Sequence, residues 1–101
     1  MNDTSTKNRT ETVHKVARPP LHKVILLNDD YTPREFVVAL LKAEFHVPEA
    51  QANMIMLTAH TKGVCVVAVF TREIAEEKAK RATDVARQSG YPLLFSTEPE
   101  E

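Results

Sequence analysis

Three consecutive side chains that carry oxygen acceptors, Asn28, Asp29 and Asp30, close an apolar run and precede Thr32-Pro33-Arg34-Glu35. Such residues either hold a turn by bonding nearby backbone or bring their oxygens together at a rim that captures a small cation. The other candidates for chemistry are four histidines, His14, His22, His46 and His60, and one cysteine, Cys65. No His-x-x-x-His or Cys-x-x-Cys spacing marks a metal site. Asp29 and Asp30 are adjacent on a turn, so their carboxylates diverge rather than face each other as acid and base. A metal-dependent hydrolase built on Asp29, Asp30 and His60 is therefore a poor fit. The chain has only two glycines, Gly63 and Gly90, hence neither a phosphate-cradling loop nor a Gly-x-Ser-x-Gly elbow. Cys65 lies within the apolar run Val64–Phe70, the wrong environment to depress a thiol pKa. These residues point to binding rather than catalysis.

The elements that must position them follow from periodicity. Val24–Leu27 is short, β-branched and bounded by polar residues, and predicts a largely buried strand. Thr32 is expected to cap a helix, with Pro33 in its first position and Glu35 closing a capping box. The acceptors then sit at a strand-to-helix corner. Phe36, Val37, Leu40, Leu41 and Phe45 recur at helical spacing and predict a buried face. His46-Val47-Pro48 breaks that helix, and Pro48 opens a second one running to about Thr61. Its apolar residues form two neighbouring stripes, Ala50, Met54, Leu57 and Thr58 on one, Ile55, Met56, Ala59 and His60 beside it. Met54 and Met56 are expected in the core, and His60 reads first as a hydrogen-bonded structural histidine. Gly63 is placed to stop the helix.

Val64–Phe70 is apolar throughout and predicts a strand covered on both faces, or central in a sheet. Thr71 is expected to cap a third helix from Arg72 to about Ser89. Its buried stripe would be Ile74, Ala75, Ala79, Ala82, Val85 and Ala86, with Glu76–Lys80 and Glu77–Arg81 pairs on the wet face. Gly90 ends it, Leu93–Thr97 is a last short strand, and residues 98–101 are a frayed acidic end. The order β-α-α-β-α-β predicts an α+β fold, a small sandwich of three helices packed on a three-stranded antiparallel sheet.

Composition agrees with one folded domain and a tail. At 101 residues and 43% hydrophobic the chain can bury one modest core. No apolar run approaches the ~20 residues of a membrane span, and the N-terminal stretch is too polar for a signal peptide. A lone thiol suits a reducing, cytoplasmic location. Net charge is −1, divided as +2 over residues 1–20 and −3 over the rest, a poor electrostatic match for nucleic acid. Residues 1–20 lack apolar periodicity and end in Pro19-Pro20, which predicts a disordered tail and a stiff hinge before a domain spanning 21–101.

Lys23–Asp30 followed by Tyr31-Thr32-Pro33-x-Glu35-Phe36-Val37 resembles the signature of the ClpS family, adaptors that deliver N-degron substrates to the Clp AAA+ protease. Three later blocks match in order and spacing: Met56-Leu57-x-x-His60-x-x-Gly63, Val69-Phe70-Thr71-x-Glu73-x-Ala75-Glu76-x-Lys78, and Pro92-Leu93-Leu94. The resemblance covers residues 19–98. It implies that Asn28, Asp29 and His60 grip the free α-amino group of another protein's first residue. It further implies that Thr32, Val37, Met56, Ala59 and Leu93 form or border a cavity for a bulky apolar side chain. Asp30 is expected to stabilise the corner, the alternative being a bond to the substrate's backbone further on. Glu73 and Lys78 are implied to dock on the N-terminal domain of the Clp unfoldase, which the tail would also engage. Substrates would begin with Phe, Tyr, Trp or Leu, and the family needs no cofactor, no metal, no nucleic acid and no membrane.

Two residues depart from the family pattern. Arg34 stands at the pocket mouth where methionine is frequent, and Ala59 stands where a larger valine is common. A roomier cavity would favour Phe, Tyr or Trp over Leu, because an under-filled site loses contacts on one side of its ligand. The alternative reading is a general protein-interaction modulator of a Clp chaperone, without selectivity for N-terminal residues.

Overall fold

The strand preceding the Asn-Asp-Asp triplet is longer than its apolar run predicted and forms the middle of the sheet. β1 (Leu21–Leu27) is the central strand of a three-stranded antiparallel sheet of order β2-β1-β3, in a computed structural model that describes residues 19–100. The expected tail, apart from Pro19 and Pro20, lies outside the described residues. Val24 and Leu26 on β1 are fully buried and anchor the core.

β2 (Val64–Thr71) pairs along one side of β1, from Leu21↔Thr71 to Leu27↔Val64, and β3 (Leu94–Pro99) along the other. β2 is therefore an edge strand, neither central nor covered on both faces as its composition predicted. Val64, Val66 and Val69 are exposed and only Val67 is buried. The register steps from Val24↔Ala68 to Ile25↔Val66, so Val67 is the extra residue of a bulge. β-branched residues suit either face of a pleated strand, and an apolar run alone does not say which strand takes two neighbours. β3 also extends further than expected, to Pro99. A Lys23–Glu98 ion pair (3.5 Å) and the Glu100 N–H donating to the Leu21 carbonyl hold residues up to 100, so this end is not frayed.

α1 (Arg34–Phe45) buries Val37, Leu40, Leu41 and Phe45, with Phe36 packed at the margin. It starts one residue later than predicted. Pro33 occupies the cap position, its carbonyl accepts the N–H groups of Phe36 and Val37, and no side chain caps the helix. The capping box does not form, because the Thr32 hydroxyl donates backwards to Asp29. α2 (Glu49–Lys62) buries Ala52, Ile55, Met56 and Ala59, while Met54 and Leu57 are 68% and 47% exposed. Of the two neighbouring stripes, the second is the buried one. This helix carries apolar residues on most of its circumference, so its period does not select a face.

α3 (Arg72–Gln88) lays Ala75, Ala79, Ala82 and Ala86 against the sheet, and Ile74 points to solvent. All four buried positions are alanine, which lets the helix approach the strands closely. Its ion pairs differ from those expected: Arg72–Glu76, Lys80–Asp84 and Asp84–Arg87 along the helix, and Arg81–Glu44 across to α1. Thr71 precedes α3 without a side-chain cap bond. The chain then turns at Gly90 (φ +88°). Tyr91 meets Phe36 with ring centroids 4.7 Å apart, and the Phe95 N–H donates to Thr83 Oγ1. Those contacts fix the short segment that carries Leu93 to the head of α1.

Candidate functional site

The site is made where β1 and α2 end and α1 begins. The Asn28 N–H donates to the Gly63 carbonyl at 2.9 Å, and the Gly63 N–H donates to the Ala59 carbonyl at 2.7 Å. Gly63 has φ +95°, a conformation open to glycine at little cost. These two bonds stitch the strand end to the last turn of α2 and hold Asn28 close to Ala59 and His60.

Asp29 closes the corner. Its Oδ1 accepts the N–H groups of Tyr31 and Thr32, each at 2.8 Å. The Thr32 hydroxyl lies 3.0 Å from Oδ1 and 2.8 Å from Oδ2, and it has one proton to give. An ionised carboxylate offers about four acceptor positions. With the two N–H groups on Oδ1 and the hydroxyl on Oδ2, one position on Oδ2 stays open. Asp29 thus holds the turn and still presents an acceptor. Asp30, expected to stabilise the corner, accepts no side-chain hydrogen bond from the described residues; that part is taken by Asp29.

Beneath the corner is a cavity of about 350 Å³. Val37, Met56, Ala59 and Leu93, all buried, supply its apolar lining, and Thr32 is the buried polar residue beside them. Asn28, Asp30, Tyr31, Arg34 and His60 are exposed around the mouth. Every residue that the sequence assigned to the amino-group grip or to the pocket borders this one cavity. Leu26, Leu27, Tyr31 and Pro33 border it too. The signal for them was their place within the same continuous stretch, whose main chain wraps the opening.

His60 has a hydrogen-bond partner that sequence reasoning did not foresee. Arg34 Nη2 lies 2.9 Å from His60 Nε2. A guanidinium has donors only, so Nε2 is the acceptor and the neutral ring carries its proton on Nδ1. Glu73 and Lys78, by contrast, stand apart from the cavity. Glu73 is exposed in the first turn of α3. Lys78 is half-buried, its ammonium 5.6 Å from the Phe70 ring centroid and within hydrogen-bond reach of the Glu44 carbonyl. Cys65 is half-buried on β2, and burial pushes its thiol pKa up, so it stays protonated at neutral pH. Among the described residues no three His, Cys, Asp or Glu side chains converge as metal ligands, and no helix is long and apolar enough to cross a membrane.

The arrangement is an apolar pit, at the small end of the range for ligand sites, rimmed by Asn28, by the open position on Asp29 Oδ2 and by His60, whose acceptor Arg34 holds. It suits a group in which a cation is joined directly to one large apolar side chain.

Comparison with known proteins gives consistent results. Residues 17–96 match the family model of the ATP-dependent Clp protease adaptor protein ClpS. The chain is 67% identical over 101 residues, all of both chains, to ATP-dependent Clp protease adapter protein ClpS 1 of Bradyrhizobium diazoefficiens. It is 64% identical to the protein of the same name from Rhodopseudomonas palustris, covering 98% of this chain and 96% of that one. Among solved structures it is similar to Agrobacterium tumefaciens ClpS2 bound to L-phenylalaninamide, with a TM-score of 0.80 and 58% identity, covering 82% of this chain and 100% of that chain.

Proposed function

The chain belongs to the ClpS family of ATP-dependent Clp protease adaptors, and on that premise we propose that it is a non-enzymatic cytosolic adaptor for N-degrons. It binds the free α-amino group and bulky hydrophobic side chain of a protein's first residue and delivers that protein to a Clp AAA+ unfoldase. The observation that carries this reading is the pairing of an apolar cavity with polar acceptors at its mouth, among them the open position on Asp29 Oδ2. L-phenylalaninamide, the ligand of the Agrobacterium relative, is chemically a phenylalanine N-terminus: a free amine, a benzyl group and an amide.

The energetics require both halves of such a ligand. An ammonium bonded to Asn28 Oδ1, Asp29 Oδ2 and His60 gains roughly 1.5–3 kcal/mol per charge-assisted bond. Burying a Leu or Phe side chain against Val37, Met56, Ala59 and Leu93 adds roughly 1.5–3 kcal/mol. Association costs at least about 4 kcal/mol of lost freedom, so neither contribution alone gives useful affinity. Glu73 and Lys78 on α3, remote from the cavity, are the surface assigned to the unfoldase's N-terminal domain. A substrate and an unfoldase can then be held together.

Fluorescence anisotropy of peptides that differ only at the first residue tests the reading. Free Phe is expected to bind, and N-acetyl-Phe and free Val are expected not to. Equal binding of all three, or of none, would favour a general interaction module that modulates a Clp chaperone.

A further inference from the structure

The Arg34–His60 bond conflicts with the amine grip just described. His60 is one of the acceptors assigned to the incoming ammonium, yet its lone pair on Nε2 is already held by a cation of the same chain at 2.9 Å. Two cations cannot share that one acceptor, and an ammonium and a guanidinium both have only donors to offer. Among the described residues Arg34 makes no ion pair with a carboxylate, although Asp30 lies on the same rim. It is exposed, in the first helical position of α1, and it also borders the groove between α1 and α2. The side chain therefore has room to leave His60 without unfolding anything.

We propose that Arg34 is a specificity-determining residue: it holds the His60 acceptor in the empty site, yields it to the substrate's α-ammonium, and then pairs with a carboxylate on the substrate's second residue. This rests on the N-terminal reading of the cavity. Once displaced, the guanidinium stands at the mouth with its fork of donors unpaired. Consecutive Cα atoms are 3.8 Å apart, so the second side chain of a bound substrate emerges at that mouth. A Glu or Asp there offers the bidentate partner that guanidinium favours, and a Lys or Arg there meets a like charge. Asp30 on the same rim works in the opposite sense and draws a basic second residue. The difference between the protein and an Arg34→Met variant isolates the guanidinium, because methionine keeps an apolar stem in place and removes only the fork.

Two measurements on the full chain test this. The first uses no ligand: the ¹⁵N spectrum of the imidazoles reports which His60 nitrogen carries the proton. The wild-type ring is expected as the Nδ1–H tautomer, and Arg34→Met should shift it toward Nε2–H. An unchanged tautomer overturns the proposal whatever the cavity binds. The second measures anisotropy with peptides beginning Phe-Glu, Phe-Ala and Phe-Lys, with N-acetylated controls. An exposed ion pair supports a preference of about two- to fivefold for Glu over Lys, and that preference should vanish or reverse in Arg34→Met. Phe-Ala should bind the variant about two- to tenfold more tightly, since no internal donor has to be displaced. Equal Glu/Lys ratios in the two proteins overturn the role of Arg34 and leave the N-terminal reading intact. Failure of the free-amine peptides to outbind their acetylated controls removes both.

Discussion

On the proposed reading Asp29 has two jobs, and one substitution separates them. In Asp29→Asn the remaining carbonyl oxygen can keep the Tyr31 and Thr32 N–H groups that now bond Oδ1, while an NH₂ replaces Oδ2. The corner loses charge assistance but few bonds, a cost of about 0.5–1.5 kcal/mol. In a domain of this size that lowers Tm by roughly 4–8 °C for each kcal/mol. Asp29→Ala leaves the buried Thr32 N–H and hydroxyl without acceptors, a loss comparable to a removed cap plus an unpaired group, about 2–3 kcal/mol. Ligand binding should divide differently. The open position on Oδ2 becomes a donor facing an ammonium, so free Phe peptides should bind Asp29→Asn at least about tenfold more weakly. N-acetylated peptides should lose no affinity, since they bring no cation. Thermal melts give the stability difference and anisotropy gives the binding difference. If Asp29→Asn binds free Phe within twofold of wild type, Asp29 is only a turn residue and the amine is held elsewhere.

Other consequences follow from the same geometry. If a cationic amine is gripped, affinity for a free Phe peptide should fall about tenfold per pH unit above the amine's pKa of about 8; affinity flat from pH 7 to 10 would contradict the charge argument. Ala59 is 2% exposed in the cavity lining, so Phe-first peptides should outbind Leu-first ones about tenfold, and Ala59→Val should narrow the ratio; comparable affinities in wild type would sink the roomy-cavity idea. Gly63→Ala meets no atom within 4 Å of the new Cβ, so its cost is backbone strain at φ +95° alone, about 1–2 kcal/mol by urea unfolding, with a loss of amine binding as Asn28 shifts. Hydrogen bonds from Lys80 and Arg87 hold the Asp84 carboxyl below its ordinary value. A depressed carboxyl stabilises the fold above the unfolded pKa, and that contribution is lost as pH falls through the folded one. Asp84→Asn should therefore flatten the acid limb of a Tm-versus-pH curve below about pH 4.

The order of elements and the position of the site were legible in the sequence, because helix stops and strand lengths are written locally. Pro48, Gly63 and Gly90 mark boundaries through their own dihedrals. What the sequence left open depends on partners far along the chain. Whether Val64–Phe70 lies at the centre or the edge depends on β1 taking both neighbours, and which stripe of α2 is buried depends on how that helix meets α1 and β2. Thr32-Pro33-Arg34-Glu35 reads as a capping box until Asp29 claims the hydroxyl. The Arg34–His60 bond joins residues 26 positions apart, and only the fold brings them within reach. The pocket residues on the corner stretch are close in sequence, so one motif exposed them, and the later blocks around His60 and Leu93 supplied the rest.

On the proposed reading, a site of this shape also rejects acylated or internal residues rather than merely failing to reward them. An internal residue presents one amide N–H in place of three ammonium protons, and no charge. Seating its side chain in about 350 Å³ of apolar space would draw that amide against the Asp29 carboxylate and Asn28, and at most one of those acceptors could be satisfied. Each remaining acceptor would be drawn from water without a partner, which costs roughly 1–3 kcal/mol and more when it is charged. A free terminus is the one place on a polypeptide where amine and side chain, on a single Cα, are both unencumbered. The cavity and the rim become useful only together, because the residue that fills one is acceptable only if it satisfies the other.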